Sequence, residues 1–237
     1  YLDIIIGQAR AATGLTEQIL DFARRTEIDR RPLELVAFVG GVMAVLQRTE
    51  PEHIHISFEV GAGPHVIEGD AGRLQQVLTN LALNARDAMP HGGDLRIGLT
   101  RLVVEPGAEP PLREMPLLLT PSAWICLSLT DSGSGMTPEV QAQLFQPFFT
   151  TKTEGRGTGL GLAQVYGIVQ LHSGYIDVTS AAGQGATFRI FLPAADAAIT
   201  ATTSQAAALP SGRGETLLLV EDDPHLRQAS ADRKSVV

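Results

Sequence analysis

Arg73, Gln76, Asn80, Asn84 and Asp87 are polar residues spaced three and four apart. At about 100° per residue they fall within about 40° of one line on a helix. Leu74, Val77, Leu78, Leu81, Ala85 and Ala88 form the adjoining apolar face. One reading is an ordinary amphipathic surface helix. Such surfaces are normally lysine and glutamate, however, and two asparagines four apart are poor helix formers because their amides compete for backbone hydrogen bonds. The other reading is a set of oxygen ligands facing a site, where a hard Mg²⁺ ion takes carbonyl oxygens and waters. The pattern alone leaves both open.

Two glycine-rich segments carry the next chemistry. Asp131-Ser-Gly-Ser-Gly-Met136 directly follows an expected strand. Gly133 and Gly135 let the backbone approach a flat ligand, and the strand-end carboxylate can accept a hydrogen bond from an exocyclic amine. Taken alone, the same residues also make a plain tight turn. Gly155-Arg-Gly-Thr-Gly-Leu-Gly-Leu162 places Gly157, Thr158, Gly159, Leu160 and Gly161 at the entrance of an expected helix. Backbone amides and the helix dipole there suit an anion. No Gly-Lys-Ser/Thr follows, which excludes a P-loop, and no βαβ unit surrounds the glycines, which excludes a dinucleotide fingerprint. Lys152 lies between the segments and is either a solvated lysine or a point charge for a phosphate. Gln146-Pro147-Phe148-Phe149 puts aromatics in a polar loop, a local hydrophobic plug that would anchor a mobile lid.

The elements that must hold these residues follow from periodicity. Leu35 to Leu46 reads as a helix, and Ile54 to Val60 alternates as a half-buried strand. Asp70 caps a helix running to about Met89, stopped by Pro90 and Gly92-Gly93. Leu95 to Val104, Ala123 to Thr130, Gly174 to Ser180 and Ala186 to Leu192 read as strands, with a proline-rich loop at 105–122. Thr137 and Pro138 open a short helix, and Leu160 to His172 reads as another. The whole chain has 237 residues, 26 acidic and 18 basic, for a net charge of −8. That balance argues against a nucleic-acid partner, which needs a basic face. Cys126 is the only cysteine, so an internal disulfide and a cysteine zinc site are excluded. No apolar run spans a membrane and no signal peptide opens the chain, so the expected location is cytoplasmic, with membrane association only through regions outside this sequence.

The order of the motifs is specific. An Asn-bearing helix, then Asp-x-Gly-x-Gly, then Phe145-Gln-Pro-Phe-Phe-Thr-Thr-Lys152, then Gly-x-Gly-x-Gly-Leu-Gly-Leu resembles the N, G1, F and G2 boxes of sensor histidine kinase ATP-binding domains. Gly183-Gln-Gly-Ala-Thr-Phe188 resembles the strand-turn region that follows. The resemblance covers 31–193. It implies an α/β two-layer sandwich, a mixed sheet with helices on one face and a flexible ATP lid, of the wider group that includes Hsp90, MutL and type II topoisomerases. By this resemblance the ligands are ATP and Mg²⁺. Asn84 would be the Mg²⁺ ligand with Asn80 supporting it, Asp131 would receive the adenine amine, Gly133, Gly135, Gly157, Gly159 and Gly161 would shape pocket and lid, and Lys152 would approach the phosphates. Many such kinases carry a lysine three residues after the magnesium asparagine; here it is Asp87, which suits a metal-bound water or a ribose hydroxyl.

Residues 1–30 resemble the second helix of a dimerisation and phosphotransfer hairpin, so a homodimer is the expected state of the intact protein. None of the six histidines has the context of an acceptor. Residues 194–213 read as a linker. Residues 214–231 resemble the start of a response-regulator receiver domain, with Asp222 and Asp223 as its Mg²⁺-binding acids. Residues 232–237 fit no receiver helix and match one reading frame of a common sequencing-adapter sequence, so they are expected to be non-native. The function these resemblances imply is transfer of the ATP γ-phosphoryl group to a histidine, and on to a receiver aspartate. An ATP-driven conformational ATPase and a non-catalytic nucleotide-binding module of the same fold are the alternatives.

Overall fold

The computed structural model describes residues 28–49, 53–103, 123–152 and 158–195. The expected dimerisation helix, Gly157, most of the linker, Asp222 and Asp223, and the terminal six residues lie outside that set.

Five strands form the main sheet. They are β2 (Ile54–Val60), β4 (Gly93–Val103), β5 (Ala123–Asp131), β6 (Tyr175–Ser180) and β7 (Ala186–Pro193), in the order β2-β4-β5-β7-β6. β2 runs parallel to β4 and every other pairing is antiparallel, so the sheet is mixed. β5 is central, and its near-continuous apolar run is what a strand buried on both faces requires. Alternation divides its residues. Ile125, Leu127 and Leu129 enter the main core with Leu95, Ile97 and Leu99 of β4 and Phe188, Ile190 and Leu192 of β7. Trp124 and Cys126 join Phe191, Leu102 and Tyr175 in a smaller cluster. Burial pushes the Cys126 thiol up to about 11, so it is a packing group and not a nucleophile.

The helices α1 (Leu35–Thr49), α2 (Ala71–Ala88) and α4 (Gly161–Leu171) contribute their apolar faces to the main core, completing the α/β sandwich. A short helix, α3 (Pro138–Gln141), precedes the segment that leads to α4. α2 starts as its sequence dictates: the Asp70 carboxylate accepts from the Arg73 backbone N–H at 3.1 Å. Leu74, Val77, Leu78, Leu81, Ala82 and Ala85 are its buried face.

Two strands were not expected from the sequence. β1 (Arg31–Glu34) and β3 (Val66–Gly69) form an antiparallel ribbon. Each has only four residues, too few for alternation to register, and Pro32 is tolerated because a two-stranded ribbon has only edges. The ribbon positions α1, since the Glu34 carboxylate accepts from the Val36 and Ala37 amides at 3.0 and 2.7 Å. It also positions α2, which begins two residues after Gly69, with Asp70 between them. His172 at the end of α4 ties the two helices together. Its Nδ1 bonds the Ile168 carbonyl at 2.8 Å, and its Nε2 accepts from the Asp70 N–H at 3.0 Å. Burial first, and the Arg30 charge as well, hold His172 below the usual histidine range, which keeps it neutral and able to accept.

Candidate functional site

The polar stripe of α2 faces protein and cavity along its whole length. Its first half is a ladder to α4: Arg73 Nη1 donates to Gln76 Oε1 at 3.4 Å, and Gln76 Nε2 and Asn80 Nδ2 both reach Gln164 Oε1, at 3.5 and 3.4 Å. Asn80 Nδ2 also donates to the Gly161 carbonyl at 3.3 Å. Its second half, from Asn80 to Asp87, lines a cavity of about 520 Å³, a size within the range of small-molecule sites. The stripe is therefore neither a solvated helix face nor a uniform ligand set. Gln164, buried in α4, is the partner that local sequence reasoning missed; it lies 88 residues from Gln76 and has no nearby signature.

Asp131 lines the same cavity from the end of β5. It continues the inward series Ile125, Leu127, Leu129 by strand alternation, so the last position of β5 puts a carboxylate where the previous ones put hydrocarbon. Only 7% of it is exposed. Burial pushes its pKa above the usual carboxylate range, partly offset by backbone N–H donors. Oδ1 accepts from Gly133 at 2.9 Å and from Ala186 at 3.3 Å. Among the described residues no hydrogen bond to Oδ2 is present, so the buried carboxylate retains an acceptor for a donor outside the protein.

The loop after Asp131 is fixed by a turn fifty residues later. Gly183 N–H donates to the Ser134 carbonyl at 2.7 Å, and Met136 N–H donates to Ser180 Oγ at 2.9 Å. Gly135 has φ +63°, and a Cβ there would meet the Ala181 carbonyl oxygen at 1.9 Å. Gly133 does not line the cavity; its role is the amide it gives Asp131 and a close approach to Ala88, 2.7 Å from where a Cβ would stand.

Described residues between α3 and α4 also line the cavity: Phe149, Thr150, Thr151, Lys152, Thr158 and Gly159, with Gly161 at the start of α4. Of the two aromatics expected to anchor this stretch, Phe149 lies in the cavity wall but Phe148 is 67% exposed. The anchors are Leu144, buried in the main core, and Phe145, whose ring packs on Tyr166 at 5.4 Å. Phe148 contributes through its backbone: with φ +68° its N–H donates to the Gly159 carbonyl at 2.9 Å, and a Cβ on Gly159 would collide with it. Leu160, set among the glycines at the helix entrance and expected with them to contact nucleotide, is buried and does not line the cavity; it precedes the first turn of α4 as an apolar plug.

Lys152 crosses to α2. Its Nζ donates to Asn84 Oδ1 at 3.2 Å and to Asp87 Oδ2 at 2.6 Å. Asp87 Oδ1 also accepts from Arg86 at 3.1 Å. Burial works to raise the Asp87 pKa, but the two cations outweigh it and hold the carboxyl below the usual range.

The donor set fits a nucleotide and its cation. A buried acceptor suits an amine-bearing base, a carboxamide oxygen and a carboxylate one helical turn apart suit a hard metal ion, and glycines keep the walls close to a flat ligand. Comparison with known proteins agrees. Residues 69–196 match the model of the histidine kinase-, DNA gyrase B- and HSP90-like ATPases. The chain belongs to this ATPase family. Its relatives narrow the class. It is 34% identical over 227 residues to the sensor kinase CckA of Brucella abortus, a match covering 92% of this chain and 24% of that protein. It is 33% identical over 198 residues to the sensor protein FixL of Bradyrhizobium diazoefficiens, covering 82% and 35%. The crystal structure of full-length ShkA in complex with AMPPNP superimposes with a TM-score of 0.62 at 26% identity, covering 78% of this chain and 36% of that one. The chain thus corresponds to the ATP-binding catalytic part of a two-component sensor kinase, and spans about a quarter to a third of these relatives. Among the described residues no helix is long and apolar enough to cross a membrane.

Proposed function

We propose that this chain binds Mg²⁺–ATP in the cavity between α2, the end of β5 and the α3–α4 segment, and presents the γ-phosphoryl group to a histidine nitrogen of a dimerisation hairpin. The observation that carries the proposal is that Asp131 and Asn84 line one cavity. Asp131 accepts the adenine amine and so selects the base. Asn84 and Asp87 would supply oxygens to the metal, and Asn80 fixes the first turn of α4. Gly135, Thr158, Gly159 and Gly161 let backbone approach the ligand, and Lys152 contributes charge near the phosphates. The bound metal supplies neutralisation of triphosphate charge; the protein's part is positioning and exclusion of water.

In this reading residues 31–193 are the nucleotide domain, 1–30 the second hairpin helix, 194–213 a linker, 214–231 the opening of a receiver domain with Asp222 and Asp223 as its acids, and 232–237 a non-native tail. The intact protein is a homodimer whose histidine passes its phosphoryl group to a receiver aspartate. No histidine of this sequence has an acceptor context, so the chain by itself is not expected to become labelled. The test incubates it with γ-labelled ATP and Mg²⁺, alone and with a dimerisation hairpin in trans. Acid-labile label on the hairpin histidine, and none on the chain, is the expected result. Acid-stable label on a hydroxyl side chain, or release of free phosphate only, would overturn the proposal.

A further inference from the structure

We propose that Lys152 is a tethered stand-in for the divalent cation: without nucleotide its ammonium occupies the place between Asn84 Oδ1 and Asp87 Oδ2 that the metal takes when nucleotide is bound. This deepens the nucleotide reading and rests on it for what the site is for. Asn84 and Asp87 are three residues apart on α2, so their oxygens converge on one point above the same helix face. That point holds a cation already. Nζ lies 3.2 Å from one oxygen and 2.6 Å from the other, although Lys152 comes from a segment more than sixty residues away. The two oxygens, a carboxamide and a carboxylate, are the hard donors a small divalent ion prefers, at about 2.0–2.1 Å.

Ammonium and metal cannot share the pair. Two cations bridged by the same oxygens would stand a few ångströms apart and repel strongly in a partly buried site. Metal entry therefore expels Lys152. The ion pair is about one-third exposed, with side-chain exposures of 34% and 35%, so it is weak enough to be exchanged. The consequence is not confined to one side chain. Lys152 lies inside the stretch that the Phe148–Gly159 backbone link closes, and its release removes a tie between that stretch and α2. With Arg86 holding Asp87 Oδ1, the carboxylate keeps its place when the lysine leaves.

The test uses the whole chain without nucleotide and reads binding of Mn²⁺ from loss of the free-ion signal in its paramagnetic resonance spectrum. Lys152→Met removes the competing charge and keeps the aliphatic stem; Lys152→Gln is the second variant, and thermal melting checks both. The expected result is Mn²⁺ affinity about fivefold higher in either variant than in the parent, with the gain abolished in Lys152→Met/Asp87→Asn. Equal Mn²⁺ binding in parent and variants, including none in any, overturns the proposal, as does a gain that Asp87→Asn leaves intact. Calorimetry of the parent with AMPPNP and Mg²⁺ separates the two claims: binding there with no effect of Lys152 on Mn²⁺ defeats the stand-in alone, whereas no binding defeats the nucleotide reading.

Discussion

Asp131→Asn should weaken ATP while leaving the empty domain as stable as before or more so. The carboxylate is held above its ordinary pKa because burial costs its charge more than the backbone N–H donors return. A carboxyl whose folded pKa is raised contributes stability fully below its unfolded value of about 3.9, and loses that contribution as pH rises through the folded value. At neutral pH the ionised group is therefore a net cost to the ligand-free protein. Asparagine has no charge to desolvate, and its Oδ1 can keep the bonds from Gly133 and Ala186. Its Nδ2 then presents donors where the adenine amine also donates. One compromised buried polar contact costs about 1–3 kcal/mol, or roughly five- to 150-fold in affinity. Guanine offers an acceptor at that edge, so the preference for ATP over GTP should narrow as well. Thermal melting of the empty variant and calorimetry with ATP and GTP read all three effects. An ATP affinity changed by less than twofold, or equal ATP and GTP affinities in the parent, would refute the assignment of Asp131.

Three further outcomes follow from the same geometry. His172 has a folded pKa below its unfolded one, so the stability it contributes is present above the unfolded value of about 6.5 and lost as pH falls below it, by at most about 1.4 kcal/mol per pH unit; urea unfolding from pH 7.5 to 5.5 should show that slope, and His172→Asn should flatten it. Gly135→Ala should destabilise by more than about 1 kcal/mol, through its positive φ and the Ala181 carbonyl, whereas Gly161→Ala, whose Cβ meets nothing closer than 3.8 Å, should stay within about 1 kcal/mol of the parent; equal urea midpoints for the two variants would contradict this. Amides of residues 138–152 should exchange quickly in the empty protein and more slowly with AMPPNP and Mg²⁺, because a lid is drawn from the least stable part of a fold; equal protection would count against closure.

Much of the scaffold was legible because its elements are long and periodic. Asp70 and the 3.6-residue repeat define α2, and the apolar run before Asp131 defines β5. The four-residue strands β1 and β3 were not, since their pairing is a tertiary fact. The site divides in the same way. Asn84 and Asp131 announce themselves by being polar where the element pattern calls for something else. Their supports do not: Ala186 and Gly183 reach the Asp131 loop from another turn, and Gln164 receives Asn80 from another helix. Phe148 misled because an aromatic in a loop suggests an anchor, whereas the apolar positions that actually pack, Leu144 and Phe145, are less conspicuous. Lys152 lies between the motifs in sequence, and only the fold brings its ammonium to Asn84 Oδ1 and Asp87 Oδ2.

Calorimetric titration of AMPPNP into the parent chain and into Asn84→Ala, each with and without Mg²⁺, tests most directly whether Asn84 holds the metal of a nucleotide site. One nucleotide per chain should bind in the parent, tightly only with Mg²⁺, and the variant should lose that magnesium dependence while its thermal unfolding stays cooperative. Magnesium-dependent binding of the same affinity in Asn84→Ala would contradict that role.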